Sequence, residues 1–214
     1  MRTESPAAVG HEAERRYIAL VTAVRVLMGT DFLVNGLNWW VKLIDAYPSI
    51  SDYAHRAPPA DLVGAMIQTG VMFHLVKATE LLTGVALLAN RFVPLMLVVV
   101  FPVTVAVFVV DVVLLHHLRG FIMGGGALLM NVFLMLSYLG CYRPMLRSRA
   151  IPDWPAAELC EARARHERAP APWAPRAALT YRLAMPVLGA VACAFGCVMV
   201  GWVATMLVQH FARG

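Results

Sequence analysis

The stretch from Asp61 to Arg91, DLVGAMIQTGVMFHLVKATELLTGVALLANR, sets His74, Lys77 and Glu80 near the middle of a long apolar run. Read as one helix, steps of three residues turn it by about −60° each, so the three groups fall within an arc of about 120°. The run is long enough to cross a bilayer. An ionisable group at that depth costs about 2.5 kcal/mol or more unless it faces protein, water or a partner. Other helices must therefore receive these three.

The rest of the chain is of the same kind. Of its 214 residues 60% are hydrophobic and only 14% charged, with mean hydropathy +0.67. A soluble domain would carry nearer a quarter charged residues, so an all-α, polytopic membrane protein is expected. The net charge of +5 does not point to nucleic acid, because the cations are concentrated between apolar segments, as topology requires. Cys141, Cys160, Cys193 and Cys197 show no metal spacing. Cys193 and Cys197 are four apart on one helix face, a poor geometry for a disulfide, and read as small packing residues.

The apolar pattern divides the chain into a polar segment 1–16, a four-helix bundle over 17–142, a basic loop 143–182 and a fifth span with a short tail, 183–214. The first span, 17–41, is too long for a signal-peptide core and ends in Trp39-Trp40-Val41-Lys42, an interfacial anchor. Asn90-Arg91 and Pro94 make a tight turn into span three. His116-His117-Leu118-Arg119-Gly120 leads into span four. In the basic loop, Asp153 and Pro155 introduce a surface helix. Gly124 to Gly126 in span four, and Gly189, Gly196 and Gly201 in span five, suit close helix contact. With the N-terminus inside, the inner segments hold twelve cations and the outer segments four. The positive-inside rule then puts the N-terminus and the basic loop in the cytoplasm and the C-terminus outside.

Span one carries Arg25, Asp31, Asn35 and Asn38, the last three in one stripe. In neighbouring antiparallel helices, residues at one depth have a constant index sum. Arg25 with Glu80 and Asp31 with His74 share one such sum. Arg25–Glu80 is the expected direct pair, since a guanidinium suits a buried carboxylate. Asp31, His74 and Lys77 then share the neighbouring groove, and Asp111 of span three joins its outer half. His74, Lys77 and Glu80 are the candidates for chemistry, with Arg25, Asp31, Asn35, Asn38 and Asp111 as ligand-binding groups. The same charges also suit a packing role that only fixes helix register. A metal site is not indicated. A bis-histidine b-type haem is rejected, because His116 lies ~18 Å beyond the midplane level of His74 at 1.5 Å per residue. Asn131 and Ser137 read as interhelical hydrogen-bonding groups.

RVLMGTDFLVNGLNWW and KATELLTGVALLANRFVPLMLVVV resemble the first two helices and following turn of the DoxX family. Arg25, Gly29, Gly36, Glu80, Gly84 and Pro94 stand at its characteristic positions, and the resemblance covers residues 18–142. It implies a four-helix bacterial inner-membrane bundle, to which this chain adds the basic loop and a fifth helix. Some relatives serve quinone-coupled sulfur oxidation or oxidant-resistance complexes. The resemblance therefore implies a membrane subunit of a redox complex, an oxidoreductase subunit with quinone as candidate cofactor. The basic loop would meet a soluble redox partner, and a homo-oligomer is compatible. A small proton-coupled permease and a purely structural membrane partner are the alternatives.

Overall fold

The computed structural model describes residues 6–44, 62–114, 118–142 and 174–213, all in helices or the short turns between them. Helix α1 spans Pro6–Val41, α2 Leu62–Gln68 and α3 Met72–Leu88. Helix α4, Val93–Phe108, is continued by a π-helical segment, Val109–Leu114. A short turn at Leu118–Gly120 and a second π-helical segment, Phe121–Gly125, lead into α5, Gly126–Ser137. Helix α6 is Leu139–Tyr142 and α7 is Ala174–Arg213. Residues 45–61, His116, His117 and the basic segment up to Trp173, where a surface helix is expected, lie outside the described residues.

Among the described residues, three helices are long and apolar enough to cross a membrane: Glu12–Val41, Val93–Leu114 and Leu183–Ala212. Phe121–Ser137 is a shorter apolar helix. The polar and apolar side chains are distributed inside out. Leu75, Leu82, Val85, Val187, Val191 and Val198 are exposed, while Asp31, Lys77, Glu80, Thr104 and Asn131 are buried. In water such an apolar surface would drive association; against lipid it needs no cover.

Helix α1 packs on α3, α3 on α4, α4 on α5 and α5 back on α1, and α7 lies against α1 and α5. The shared core is built from Val24, Met28, Phe32, Leu87, Leu97, Met130, Phe133 and Met199. Glycines set the closest approaches. A Cβ added to Gly84 would sit 2.5 Å from the Leu33 nitrogen, and one on Gly36 2.7 Å from the Leu81 nitrogen. Backbone meets backbone here, the means by which membrane helices gain contact without a hydrophobic drive. Gly189 meets Leu20 and Phe133, Gly196 meets Met130 and Leu27, and Gly126 meets Met199. Gly201 and Gly125, by contrast, face open space, so these two of the expected contact glycines make none.

Three boundaries differ from the sequence pattern, the first being that helix α1 begins at Pro6, inside the polar segment 1–16. Asp61–Arg91 is not one helix: it breaks at Thr69–Val71, where Gly70 takes φ +73°. The Thr69 hydroxyl accepts from the Met72 amide at 3.2 Å and so supplies the first-turn bond that α3 lacks. The last helix starts at Ala174, inside the segment assigned to the loop. Pro175 in its first turn fits, since no amide is needed there.

One end of the bundle is tied by tyrosines. Tyr17 donates to Ser137 at 3.1 Å, Tyr142 to the Pro94 carbonyl at 2.8 Å and Tyr181 to the Leu136 carbonyl at 2.6 Å. Burial, with Tyr17 beside it, pushes the Tyr181 phenol up to about 12, so it remains a donor at any physiological pH. The indoles of Trp39 and Trp40 stand near the other end of α1. Aromatic groups at both ends match the two interfacial belts of a membrane protein.

Candidate functional site

The polar groups of α1 and α3 form a file along the seam between the two helices. At its centre the Lys77 ammonium bonds the Glu80 carboxylate at 2.8 Å, one helical turn away on the same helix. The pair is almost dry, with side chains 8% and 3% exposed. Lys77 also donates to Asn35 Oδ1 of α1 at 3.2 Å and lies 5.4 Å above the Phe73 ring. Three donor directions are thereby met by a carboxylate, an amide oxygen and a π-face. Such satisfaction is what allows a lysine to stay buried.

Asp31 is buried, and its Oδ1 has no hydrogen-bond partner. It lies within Coulomb range of both Glu80, which repels it, and Lys77, which attracts it. One ammonium thus stands within Coulomb range of two carboxyls and is bonded to Glu80. Thr83, one turn beyond Glu80 on α3, is likewise fully buried with an unpartnered hydroxyl.

His74 stands at the end of the file nearer the indoles of α1. Its ring makes an edge contact with Trp39 at 5.5 Å and a tilted one with Trp40 at 5.1 Å. Trp39 also packs on Phe73 at 4.6 Å. The His74 Nδ1 is buried and unpartnered. From the indoles inward, the order is His74, Lys77 with Asn35, Glu80, then Asp31, and both end groups carry a buried polar atom with nothing bound to it.

This arrangement corrects the pairings expected from depth. Glu80 pairs with Lys77, not with Arg25, and His74 meets Trp39 and Trp40, not Asp31. The constant index sum does hold between α1 and α3, but its value differs. Gly29 against Leu88, Leu33 against Gly84 and Gly36 against Leu81 share a sum larger by about twelve residues, some three helical turns. The glycine contacts, not the charges, set the register. Asp31 therefore lies beyond Glu80 on the side away from His74, so the expected convergence of Asp31 with His74 does not occur.

Asn38 has a structural task. Its side-chain oxygen accepts from the Ile44 amide at 2.5 Å while its carbonyl accepts from Lys42, which turns at φ +48°. It caps the end of α1. Asp111 sits in the π-helical extension of α4, where its Cβ would be 3.3 Å from a Cβ added at Gly124. That contact is to the second π-helical segment, which leads into α5. Asn131 donates to the Leu97 carbonyl at 3.5 Å and, like Ser137, joins two helices as expected. Among the described residues no cluster of three or more His, Cys, Asp or Glu could hold a metal ion. No family model, curated protein or solved structure matches the chain.

Proposed function

We propose that this chain is a DoxX-like protein of the bacterial inner membrane, crossing it five times with its N-terminus inside. In this reading it is the membrane subunit of a quinone- or thiol-linked redox complex, and its own contribution is to move protons along the α1–α3 seam. One observation carries the proposal: Glu80 holds the Lys77 ammonium at 2.8 Å in a dry seam, and the buried Asp31, its Oδ1 unpartnered, lies within Coulomb range of both. Two carboxylates and one ammonium leave a net negative charge buried. One added proton makes the group neutral, so its natural exchange partner is a proton. Reduction of a quinone to a quinol takes up two electrons and two protons, so a quinone-linked enzyme needs such a group near its site. His74, held between two indoles at the outer end, is the member that would pass protons between the seam and the outside.

The test is purification of the full chain in mild detergent, with mass spectrometry of bound quinone and of co-purifying proteins. Infrared difference spectra across a pH titration follow carboxyl protonation in parallel. A protonated-carboxyl band that disappears in Asp31→Asn supports the proton role. Absence of both a quinone and a redox partner sinks the redox reading. A second reading, a proton-coupled permease, draws on the break between α2 and α3 at Gly70, because transporters often bind at interrupted helices. Proton uptake into vesicles that depends on a solute, with no bound quinone, would favour it.

A further inference from the structure

Arg25 is taken away from its expected partner, Glu80, by the register of α1 against α3. It is half-buried, makes no ion pair among the described residues, and its Nε is buried without a hydrogen-bond partner. It stands four residues before Gly29, hence on the same helix face, and that face meets Leu87 and Leu88 at the end of α3. By the register of that contact, Arg25 is level with the turn from α3 to α4. A helical side chain also leans toward its own N-terminus, which aims the guanidinium further toward the turn end of the bundle.

The turn offers a second cation. Arg91 is exposed between Asn90 and Phe92, both in the left-handed region at φ 54°, while its amide is fixed to the Ala86 carbonyl at 2.9 Å. Phe92 beside it is 73% exposed, at the bundle end that also carries the tyrosine ties. Above the turn, the α1–α3 seam opens outward on exposed apolar side chains: Val26 of α1, and Val85 and Leu88 of α3.

We propose that Arg25 and Arg91 hold the phosphate of an anionic phospholipid at the turn end of the α1–α3 groove, with an acyl chain along Val26, Val85 and Leu88. The guanidinium is a forked donor matched to phosphate oxygens, and an unpaired one beside lipid is stable where a headgroup completes it. The apolar wall above the cations selects a lipid over a free anion. This site is separate from the Lys77–Glu80 file and does not depend on what that file does.

The test uses the full chain, delipidated in mild detergent. Native mass spectrometry measures retention of phosphatidylglycerol, of phosphatidylcholine and of inorganic phosphate. Wild type should retain phosphatidylglycerol in preference to phosphatidylcholine. Arg25→Gln should weaken that retention about tenfold, the loss expected for a charge-assisted hydrogen bond. Arg25→Lys keeps charge but loses the fork and should fall between. Arg91→Gln, on an exposed turn that leaves packing intact, should weaken retention several-fold and decides the matter if Arg25→Gln fails to fold. Equal retention of the two lipids, unchanged retention in Arg91→Gln, or inorganic phosphate bound as well as lipid overturns the proposal.

Discussion

Replacing Lys77 by Met tests whether the α1–α3 seam is organised around its ammonium. The side chain is 8% exposed and its Nζ lies 2.8 Å from Glu80 Oε2. At an effective dielectric of about 20 the gross attraction is about 6 kcal/mol. Desolvation of both ions opposes this, so the pair adds little net stability against apolar side chains of equal volume. Removing one partner is different: Glu80 and Asp31 then stay buried with no cation near, and the cost is roughly 3–5 kcal/mol. Lys77→Met should therefore lower unfolding free energy by that amount, and Glu80→Leu by less, because Asp31 stays within Coulomb range of the ammonium. The double variant Lys77→Met/Glu80→Leu should recover more than half of the summed loss. Equilibrium unfolding by SDS in mixed micelles, followed by fluorescence of buried Trp39, measures all three. If the two single losses add within about 0.5 kcal/mol in the double variant, the groups are uncoupled and the reasoning is refuted. Arg25→Met is the control: with no ion pair to a carboxylate among the described residues, its removal should cost the bundle less than Lys77→Met does.

A methyl at Gly84 would sit 2.5 Å from the Leu33 nitrogen, so Gly84→Ala should destabilise by about 1–3 kcal/mol in the same assay, whereas Gly201→Ala, facing open space, should stay within about 0.5 kcal/mol. Gly70→Ala, at φ +73°, should cost about 1–2 kcal/mol for the left-handed backbone, and an unchanged midpoint would mean that the helix does not break there. A reporter fused after Gly214 should behave as external and one inserted near Arg163 as internal; both on one side would remove the fifth crossing. His74→Gln keeps a hydrogen-bonding side chain but cannot titrate; if the pH dependence of the in vivo phenotype is unaltered in it, His74 is a packing residue.

The helical architecture was legible because its signal is redundant: every apolar run of the chain repeats it. Gly189 and Gly196 were legible as contact glycines, because in an apolar helix a missing side chain is useful mainly for close approach, whereas Gly29, Gly36 and Gly84, which set the α1–α3 register, entered the sequence reading only as positions of the family resemblance. The charge pairings were not legible. Depth matching between antiparallel helices needs one additive constant, and the span ends locate it only to a few turns. The Lys77–Glu80 pair had a local signal, since groups three apart on a helix are neighbours whatever the other helices do. Gln68-Thr69-Gly70 likewise carried the mark of a helix end, and the apolar residues on both sides outweighed it. The task of Asn38 depends on the left-handed turn at Lys42, which no residue type announces.

Register and charge are linked by cause. An attraction between Arg25 and Glu80 would need α1 to slide by about three turns against α3, which would set Gly36 and Gly84 opposite other residues and lose both backbone contacts. Desolvation offsets most of the gain from a buried ion pair, while close backbone packing is a main source of helix association in lipid. The glycines therefore win, and each charge settles with what their register leaves within reach. Lys77 finds Glu80 on its own helix and Asn35 across the seam. Asp31 is left within Coulomb range of an ammonium that is already engaged. Arg25 is carried to the level of the α3–α4 turn, where the proposed partner is lipid. The group suited to exchanging a proton and the group suited to holding a headgroup thus follow from one packing decision. A change that moves the register, such as Gly84→Ala, should disturb both together.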